Sequence, residues 1–174
     1  MALRATVRRV AVLRLDENNQ VRVVECPQNI KYCSGKAPGD TIPLLVAMYM
    51  VYNGVAVLQD VEGKVLSFEE FLKRVNKRNI WIVFSVYLDL VKRGRTVVPG
   101  SVDNELVLEG YKTKIYVFEE NSLVKPEHII EIVERASRQD YRVIVAIVDM
   151  YGDVTYYEVS KIVFQPIMRR DRVW

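Results

Sequence analysis

The stretch RVIVAIVDMYGDVTYYEV, residues 142–159, constrains the fold of this chain more than any other feature of the sequence. Two runs rich in Val, Ile and Tyr flank a short polar turn, and such residues favour pleated strands. Gly152 supplies the backbone freedom that a tight turn requires. The stretch therefore predicts a buried hairpin with two carboxylates, Asp149 and Asp153, at its mouth. Asp beside Gly is ordinary turn chemistry, so a purely structural role is the first interpretation of both.

Composition limits the class of protein. Half of the 174 residues are apolar, which is enough for a core in one domain or two small ones. The longest apolar runs, residues 42–51 and 80–88, are shorter than the roughly 20 residues that cross a bilayer, and no secretion signal opens the chain. These features predict a cytoplasmic protein with no membrane partner. The formal charge of +3 permits a polyanionic partner without requiring one.

The two cysteines, Cys26 and Cys33, are too few for a disulfide scaffold and too widely spaced for a CxxC motif. Unpaired thiols are therefore the expected state. A single structural bridge is the alternative, because proteins of hyperthermophiles form intracellular disulfides. The dense mixture of Lys, Arg and Glu suits such a heat-adapted source.

The first part of the chain predicts two hairpins and two helices. In chain order these are a hairpin of strands 6–15 and 21–26, a loop over 27–41, a buried helix closed by Gly54, a hairpin within 55–67 and a helix over 67–78. The first helix has Asp40 or Thr41 as its predicted cap, with Pro43 in its first turn. The second helix begins with a capping box formed by Ser67 and Glu70.

The second part predicts a helix over 80–94, strands near 95–98, 105–108 and 114–118, a helix over 126–138 and the hairpin 142–159. Helices alternate with strands in both parts, which is typical of an α/β protein. We expect a small N-terminal α/β domain over residues 1–78. A C-terminal domain over residues 79–174 is expected to have a central mixed sheet flanked by helices.

Familiar catalytic motifs are missing from the sequence: it has no GxGxxG, GxxxxGK[ST], HExxH or GxSxG. The single histidine, His128, lies near the start of a predicted helix, where an ordinary exposed helix residue is expected. A nuclease-type metal site is an alternative, if carboxylates gather in space. The acidic residues that would form it are Asp103, Glu105, Glu109, Asp149 and Asp153.

The segments LSFEEFLKRVNKRNIWIVFSVYLDLVKRGRTVVPG and IVAIVDMYGDVTYYEV resemble the archaeal tRNA-splicing endonuclease family over roughly residues 44–163. YLDLVKRG and VDMYGDVTYY carry the strongest likeness. The resemblance implies a small N-terminal α/β domain before a C-terminal nuclease domain. It also implies RNA cleavage that needs no metal or other cofactor and leaves 2′,3′-cyclic phosphate ends.

Family members that cut RNA use a tyrosine, a histidine and a lysine. A base takes the proton of the ribose 2′-hydroxyl, an acid protonates the leaving oxygen, and a cation stabilises charge on the phosphate. The resemblance places the tyrosine position at Leu108 or Glu109. It places the histidine position at Lys112 and the lysine position at Tyr141, followed by Arg142. All three are altered, and an ammonium group replaces an imidazole as proton carrier only after a large pKa depression.

A chain with this scaffold and an altered triad is similar to the structural subunit of the heterotetrameric archaeal enzymes. In those enzymes two catalytic and two structural subunits hold two active sites at a fixed separation, so precursor tRNA is measured by shape. The implied partners are a catalytic subunit, a second copy of this chain and precursor tRNA. The resemblance implies no catalytic residue and no metal ligand in this chain.

In the family an acidic loop between the last two long strands enters a basic cleft of the neighbouring subunit, and VDMYGDV stands at the matching place. The strand TYYEVSKIVF that follows is apolar at several positions, and a sheet edge of that composition needs a cover. The alternative is a strand buried within its own domain. The implied partner-binding residues are Asp149, Tyr151, Gly152, Asp153, Tyr156, Tyr157 and Val159.

Two functions from other classes stay open. The first is a stand-alone nuclease that works through Tyr111, Lys112 and Tyr141 or through the acidic residues named above. The second is an RNA-binding module without an enzymatic partner. The basic stretches KRVNKR, VKRGR and MRRDRVW are typical of solvated surfaces, and tRNA phosphates are their other candidate contact.

Overall fold

A computed structural model describes residues 10–77 and 79–161 of the chain. The first half contains the strands β1 (Ala11–Leu15), β2 (Val21–Glu25), β3 (Thr41–Ile42), β4 (Ala56–Gln59) and β5 (Val65–Leu66). They form one mixed sheet in the order β3-β2-β1-β4-β5, in which only β1 and β4 are parallel neighbours. The helices of this half are α1 (Leu44–Tyr52) and α2 (Phe68–Val75).

The second half contains helix α3 (Ile80–Lys92), strands β6 (Val97–Pro99), β7 (Glu105–Leu108) and β8 (Thr113–Glu119), helix α4 (Pro126–Ser137), and strands β9 (Arg142–Val148) and β10 (Val154–Val159). Its sheet has the order β10-β9-β8-β7-β6, and β8 and β9 are the parallel pair. The described residues therefore form two mixed sheets and four α-helices. This confirms the predicted mixed α/β class, whereas the domain boundary at residue 78 stays a prediction.

Most elements lie where the sequence predicts them. The hairpin of residues 142–159 forms as β9 and β10, with Val148 paired to Val154 next to the turn. The capping box of α2 is also present: the Ser67 hydroxyl accepts from the Glu70 N–H, and the Glu70 carboxylate accepts from the Ser67 N–H. Residues 6–9 of the first predicted strand lie outside the described residues.

The predicted start of α1 is wrong. Neither Asp40 nor Thr41 caps this helix, which begins at Leu44 after Pro43 and has no side-chain cap. The Asp40 carboxylate instead accepts a hydrogen bond from the Ala37 N–H at 2.8 Å, and Thr41 pairs with β2 as part of β3. Strand pairing thus occupies the residues that local capping signals favoured, because a tertiary hydrogen-bond ladder overrides a local preference.

The expectation of unpaired thiols is also wrong, because Cys26 and Cys33 form a disulfide across a Cα–Cα distance of 5.2 Å. A 3₁₀ turn over Lys31–Cys33 brings the chain back toward the end of β2. The Cα–Cα separation lies within the range that a disulfide spans. A spacing of seven residues carries no signal of this pairing, which depends on the path of the loop.

Helix α3 connects the two halves. It contacts α1 in the first half and β8, β9 and β10 in the second, so one hydrophobic core contains buried side chains from both halves. A smaller cluster lies under α4 on the opposite face of the second sheet, since Tyr116 belongs to it while its neighbours Ile115 and Val117 belong to the larger core. Among the described residues, no helix is long and apolar enough to cross a membrane.

Candidate functional site

The three positions matched to the family's catalytic residues lie where strands of the second sheet begin or end, on one side of the sheet. Strands β8 and β9 are parallel and begin at this end of the sheet, with Thr113 paired to Arg142. Strand β7 is antiparallel to β8 and ends there, with Leu108 paired to Thr113. Glu109 directly follows β7, Lys112 directly precedes β8, and Tyr141 directly precedes β9. We call these strand ends, with their flanking residues, the altered-triad edge.

Lys112, at the altered-triad edge, forms an ion pair with Asp140. Its ammonium lies 2.5 Å from a carboxylate oxygen of Asp140, and both side chains are exposed. The hydrogen bond from Lys112 to Asp140, reinforced by the opposite charge, raises the pKa of Lys112 and lowers the pKa of Asp140. A higher pKa moves Lys112 further from the neutral range in which a proton carrier works.

Arg142, next to Tyr141, is also paired. Its guanidinium donates to both carboxylate oxygens of Glu158 on the neighbouring strand, at distances of 2.8–3.0 Å. Such a two-pronged bond fixes the plane of the guanidinium. The cationic residue that follows Tyr141 in the sequence is therefore held along the sheet surface by the neighbouring strand.

Tyr111 directly precedes Lys112 in the sequence, and 54% of it is exposed. Its hydroxyl oxygen accepts a hydrogen bond from the Arg95 guanidinium at 2.6 Å. The same guanidinium lies 4.9 Å from the centre of the Tyr111 ring. Tyr111 and Arg95 thus form an exposed stacked pair between the start of β6 and the end of β7.

A buried ionic cluster lies just inside this edge and was not predicted from the sequence. The Lys114 ammonium lies 3.1 Å from one carboxylate oxygen of Glu105, and the hydroxyls of Tyr116 and Ser101 donate to the other oxygen at 3.0 and 3.2 Å. Glu105 is only 2% exposed. The Lys114 ammonium also lies 5.2 Å from the centre of the Tyr141 ring, so the cluster reaches the altered-triad edge.

The surroundings of Glu105 keep it ionised. Burial raises its pKa, but the hydrogen bonds from Lys114 and Tyr116 outweigh burial, and the net effect lowers the pKa. Burial and the bond to this carboxylate raise the pKa of Tyr116 to about 12. A Cβ at Gly100 would clash with the Glu105 side chain, so the close approach requires glycine there. In the sequence this cluster is indicated by a charged residue in each of two largely apolar strands, Glu105 in β7 and Lys114 in β8.

The acidic residues named as an alternative metal site do not gather. Among the described residues, no group of three or more His, Cys, Asp or Glu side chains could hold a metal ion. Glu105 is engaged in the buried cluster, and Asp103 pairs with Lys77 at 3.2 Å. Asp149 and Asp153 lie in the β9–β10 turn. Within the described part of the chain these carboxylates therefore do not come together as one group.

His128 lies far from the altered-triad edge. It is exposed in the first turn of α4 and packs edge-to-face on Phe118, with ring centres 6.4 Å apart. Phe118 is five residues along β8 from Thr113, which is about 16 Å at the rise of a strand. The prediction that His128 lies exposed near the start of a helix is confirmed.

Asp149 shapes the β9–β10 turn. One of its carboxylate oxygens accepts hydrogen bonds from the N–H groups of Tyr151 and Asp153, at 2.8 and 2.9 Å. Gly152 has a φ of 87°, which few side-chain-bearing residues adopt. The Asp153 side chain is exposed, and 82% of Tyr151 is exposed beside it. The turn thus presents one carboxylate and one aromatic ring to solvent.

One face of strand β10 is hydrogen-bonded to helix α3. The Tyr156 hydroxyl donates to the Asp89 carboxylate of α3 at 2.7 Å, and Arg93 donates to the same oxygen at 2.8 Å. Burial and the bond to this carboxylate raise the pKa of Tyr156. On the other face Val159 packs into the α4 cluster, while 55% of Tyr157 is exposed. Within the described residues β10 pairs with β9 alone, so its second edge is open.

Comparison with the sequences of known proteins identifies the family of this chain. No family model matches the chain. The chain is 33% identical to a tRNA-splicing endonuclease of Thermococcus kodakarensis over 132 residues, which cover 71% of this chain and 78% of the relative. It is 30% identical to one of Methanococcus vannielii over 125 residues, which cover 66% of this chain and 71% of the relative. The chain belongs to the tRNA-splicing endonuclease family.

Other relatives are much longer than this chain. A tRNA-splicing endonuclease of Methanococcoides burtonii is 28% identical over 139 residues, which cover 75% of this chain and 39% of the relative. The chain therefore spans about two fifths of the length of that protein. The family predicted from the segments YLDLVKRG and VDMYGDVTYY is confirmed, whereas the kind of subunit is a separate question.

Proposed function

We propose that this chain is the structural, non-catalytic subunit of a heterotetrameric tRNA-splicing endonuclease. In this role it assembles with catalytic subunits and positions them to excise introns from precursor tRNA. The observation that carries the proposal is Lys112, which stands at the family's histidine position and is ion-paired with Asp140. The pKa of Lys112 is raised by this pair, which is the opposite of what proton transfer near neutral pH requires.

The other two positions support the same proposal. Leu108 is buried at the end of β7, and Glu109 offers a carboxylate where the family has a phenol. Tyr141 stands where the family has a lysine, so no ammonium is available from that position to stabilise charge on a phosphate. Arg142, the next residue in the sequence, is engaged with Glu158.

The proposed partners are a catalytic subunit, a second copy of this chain and precursor tRNA. The proposed docking surface is the β9–β10 turn and the strand after it, with Asp153 and Tyr151 exposed at its tip. Asp149 supports that tip from within, because its carboxylate holds the turn. On β10, Tyr157 is the exposed aromatic residue, while Tyr156 and Val159 support the strand from within.

The test is co-expression of this chain with a family member from the same source that carries the complete Tyr, His and Lys set. We expect a complex with the mass of a two-to-two assembly that cleaves precursor tRNA. This chain alone is expected to show no cleavage above background, with or without divalent metal. The measurements are light scattering for mass and gel analysis for cleavage.

Variants of this chain separate the proposal from a stand-alone nuclease. Lys112→Ala and Tyr141→Phe should leave the cleavage rate of the complex unchanged within about twofold, because neither side chain takes part in the chemistry. Substitution of the catalytic subunit's own histidine by alanine should abolish cleavage by the complex. Cleavage by this chain alone, lost in either of its own variants, would overturn the proposal.

A further inference from the structure

The Cys26–Cys33 disulfide closes a short segment between β2 and the rest of the first sheet. Cys33 is fully buried, whereas Cys26 is half-buried and packs against the same core. The two residues of one bridge therefore differ in exposure. A reagent in solution meets the Cys26 side of the bridge first.

The closed segment also carries an aromatic ring into the core. Tyr32 packs on Tyr49 of α1 with ring centres 5.5 Å apart, and Tyr49 packs on Tyr87 of α3 at 6.3 Å. Burial raises the pKa of Tyr32, and it raises the pKa of Tyr87 to about 12. The bridge thus fastens one end of an aromatic row that reaches the helix connecting the two halves.

We propose that the Cys26–Cys33 disulfide is a redox lock, formed as the chain folds when an external disulfide oxidant exchanges with the two thiols and takes up their two electrons and two protons. The bridge resists small thiols in the folded protein and opens only when residues 26–33 leave the core. The proposal concerns the stability of this chain alone and does not depend on its role in an endonuclease.

The chemistry of reduction explains the resistance. A thiolate of a dithiol attacks the Cys26 sulfur, the S–S bond breaks, and its electron pair leaves on the Cys33 sulfur. The second thiol of the reagent then displaces Cys26, so two electrons and two protons pass from the dithiol to the cystine. In the folded protein the first step places a negative charge on Cys33 in an apolar, fully buried site, which disfavours its departure.

The first measurement is the rate of reduction by dithiothreitol, followed by trapping of thiols with N-ethylmaleimide and mass determination. We expect reduction under native conditions to be at least about 100-fold slower than in denaturant, since opening must precede it. The native rate should rise with mild denaturant in step with local unfolding. Equal rates in both conditions would overturn the lock, and so would two free thiols in the untreated protein.

The second measurement is the melting temperature of the Cys26→Ser, Cys33→Ser double variant. Removal of a short covalent loop is expected to lower the melting temperature by about 5–10 °C for a chain of this size. Wild-type protein reduced with excess dithiothreitol in denaturant and refolded in the same reductant is the matched control and should melt near the variant. An unchanged melting temperature would overturn a stabilising bridge. If the variant does not fold, the stabilising bridge is supported, and the wild-type reduction rates still test the lock.

Discussion

Glu105 shows at the scale of one residue how this fold holds a charge in its interior. Its carboxylate accepts from Lys114, Tyr116 and Ser101, so each of its two oxygens has a donor. A buried carboxylate that loses its cation retains the full cost of desolvation. The cluster is therefore sensitive to removal of one partner.

Lys114→Met should destabilise the protein by about 3–5 kcal/mol, because it leaves Glu105 buried without its counter-ion. Urea unfolding at neutral pH measures the change. In the Lys114→Met, Glu105→Gln double variant the charge is gone as well, so part of the lost free energy should return. Lys73→Met, which removes an exposed pair with Glu69, is the matched surface control and should have little effect.

The same carboxylate predicts a dependence of stability on pH. The folded-state pKa of Glu105 lies below its ordinary value of 4.5, so its contribution is present above about pH 4.5 and is lost as the pH falls through the folded-state pKa. Glu105→Gln should therefore lose less stability than the wild type between pH 5 and about pH 3. If the wild type and the Glu105→Gln variant lose stability equally as the pH falls, other groups cause the pH dependence.

At the scale of the element, the start of α2 rests on one reciprocal pair. Ser67 and Glu70 exchange hydrogen bonds between side chain and backbone, which satisfies two N–H groups at the helix start. Helix α1 has no side-chain cap, and its apolar face holds it in the core. Local capping therefore matters more for α2, whose outer face is polar and whose buried side chains are few.

Ser67→Ala should lower the free energy of unfolding by about 1 kcal/mol, since alanine cannot accept from the Glu70 N–H. Ser67→Asp keeps an acceptor at the helix start and should retain most of the stability. Urea titration followed by circular dichroism distinguishes the two. Equal loss in both variants would show that the cap is not the source of the effect.

At the scale of the whole molecule, the β9–β10 turn projects from a sheet that is covered on both faces. Strand β10 is anchored through Tyr156 to Asp89 of α3, and a Cβ at Gly152 would lie 4.0 Å from the Ser85 hydroxyl of the same helix. The turn is thus held in place before any partner arrives. A preorganised loop loses little freedom on docking, which favours affinity.

Asp153→Lys should leave the isolated chain folded, because a charge on a surface turn rarely changes stability by more than about 0.5 kcal/mol. Under the proposed function it should weaken binding to the catalytic subunit by at least about 30-fold, since attraction to a basic cleft becomes repulsion. Isothermal titration measures the affinity, and circular dichroism checks the fold of the variant.

Glu62→Lys makes the same charge change in the β4–β5 turn and is the control for net charge. It should leave binding to the catalytic subunit unchanged. Asp149→Asn keeps the acceptor that holds the β9–β10 turn while it removes the charge, so it separates turn geometry from electrostatics. Unchanged binding by a folded Asp153→Lys variant would return Asp153 to the role of a turn residue.

The sequence by itself determined the elements whose signals are local. Runs rich in β-branched and aromatic residues predicted β9 and β10, the pair Ser67 and Glu70 predicted the start of α2, and the segments around residues 87–94 and 148–157 predicted the family. Each signal depends on neighbours within a few positions, because hydrophobic periodicity and capping act over one or two turns of chain.

Only the tertiary structure decided the features that join distant residues. The Cys26–Cys33 bridge depends on a 3₁₀ turn, and the pairing of Thr41 with β2 replaced a predicted helix cap. The buried Glu105–Lys114 pair exists because β7 and β8 adopt one particular register. Sequence spacing does not encode such contacts, since strand register and loop path are set by packing of the whole core.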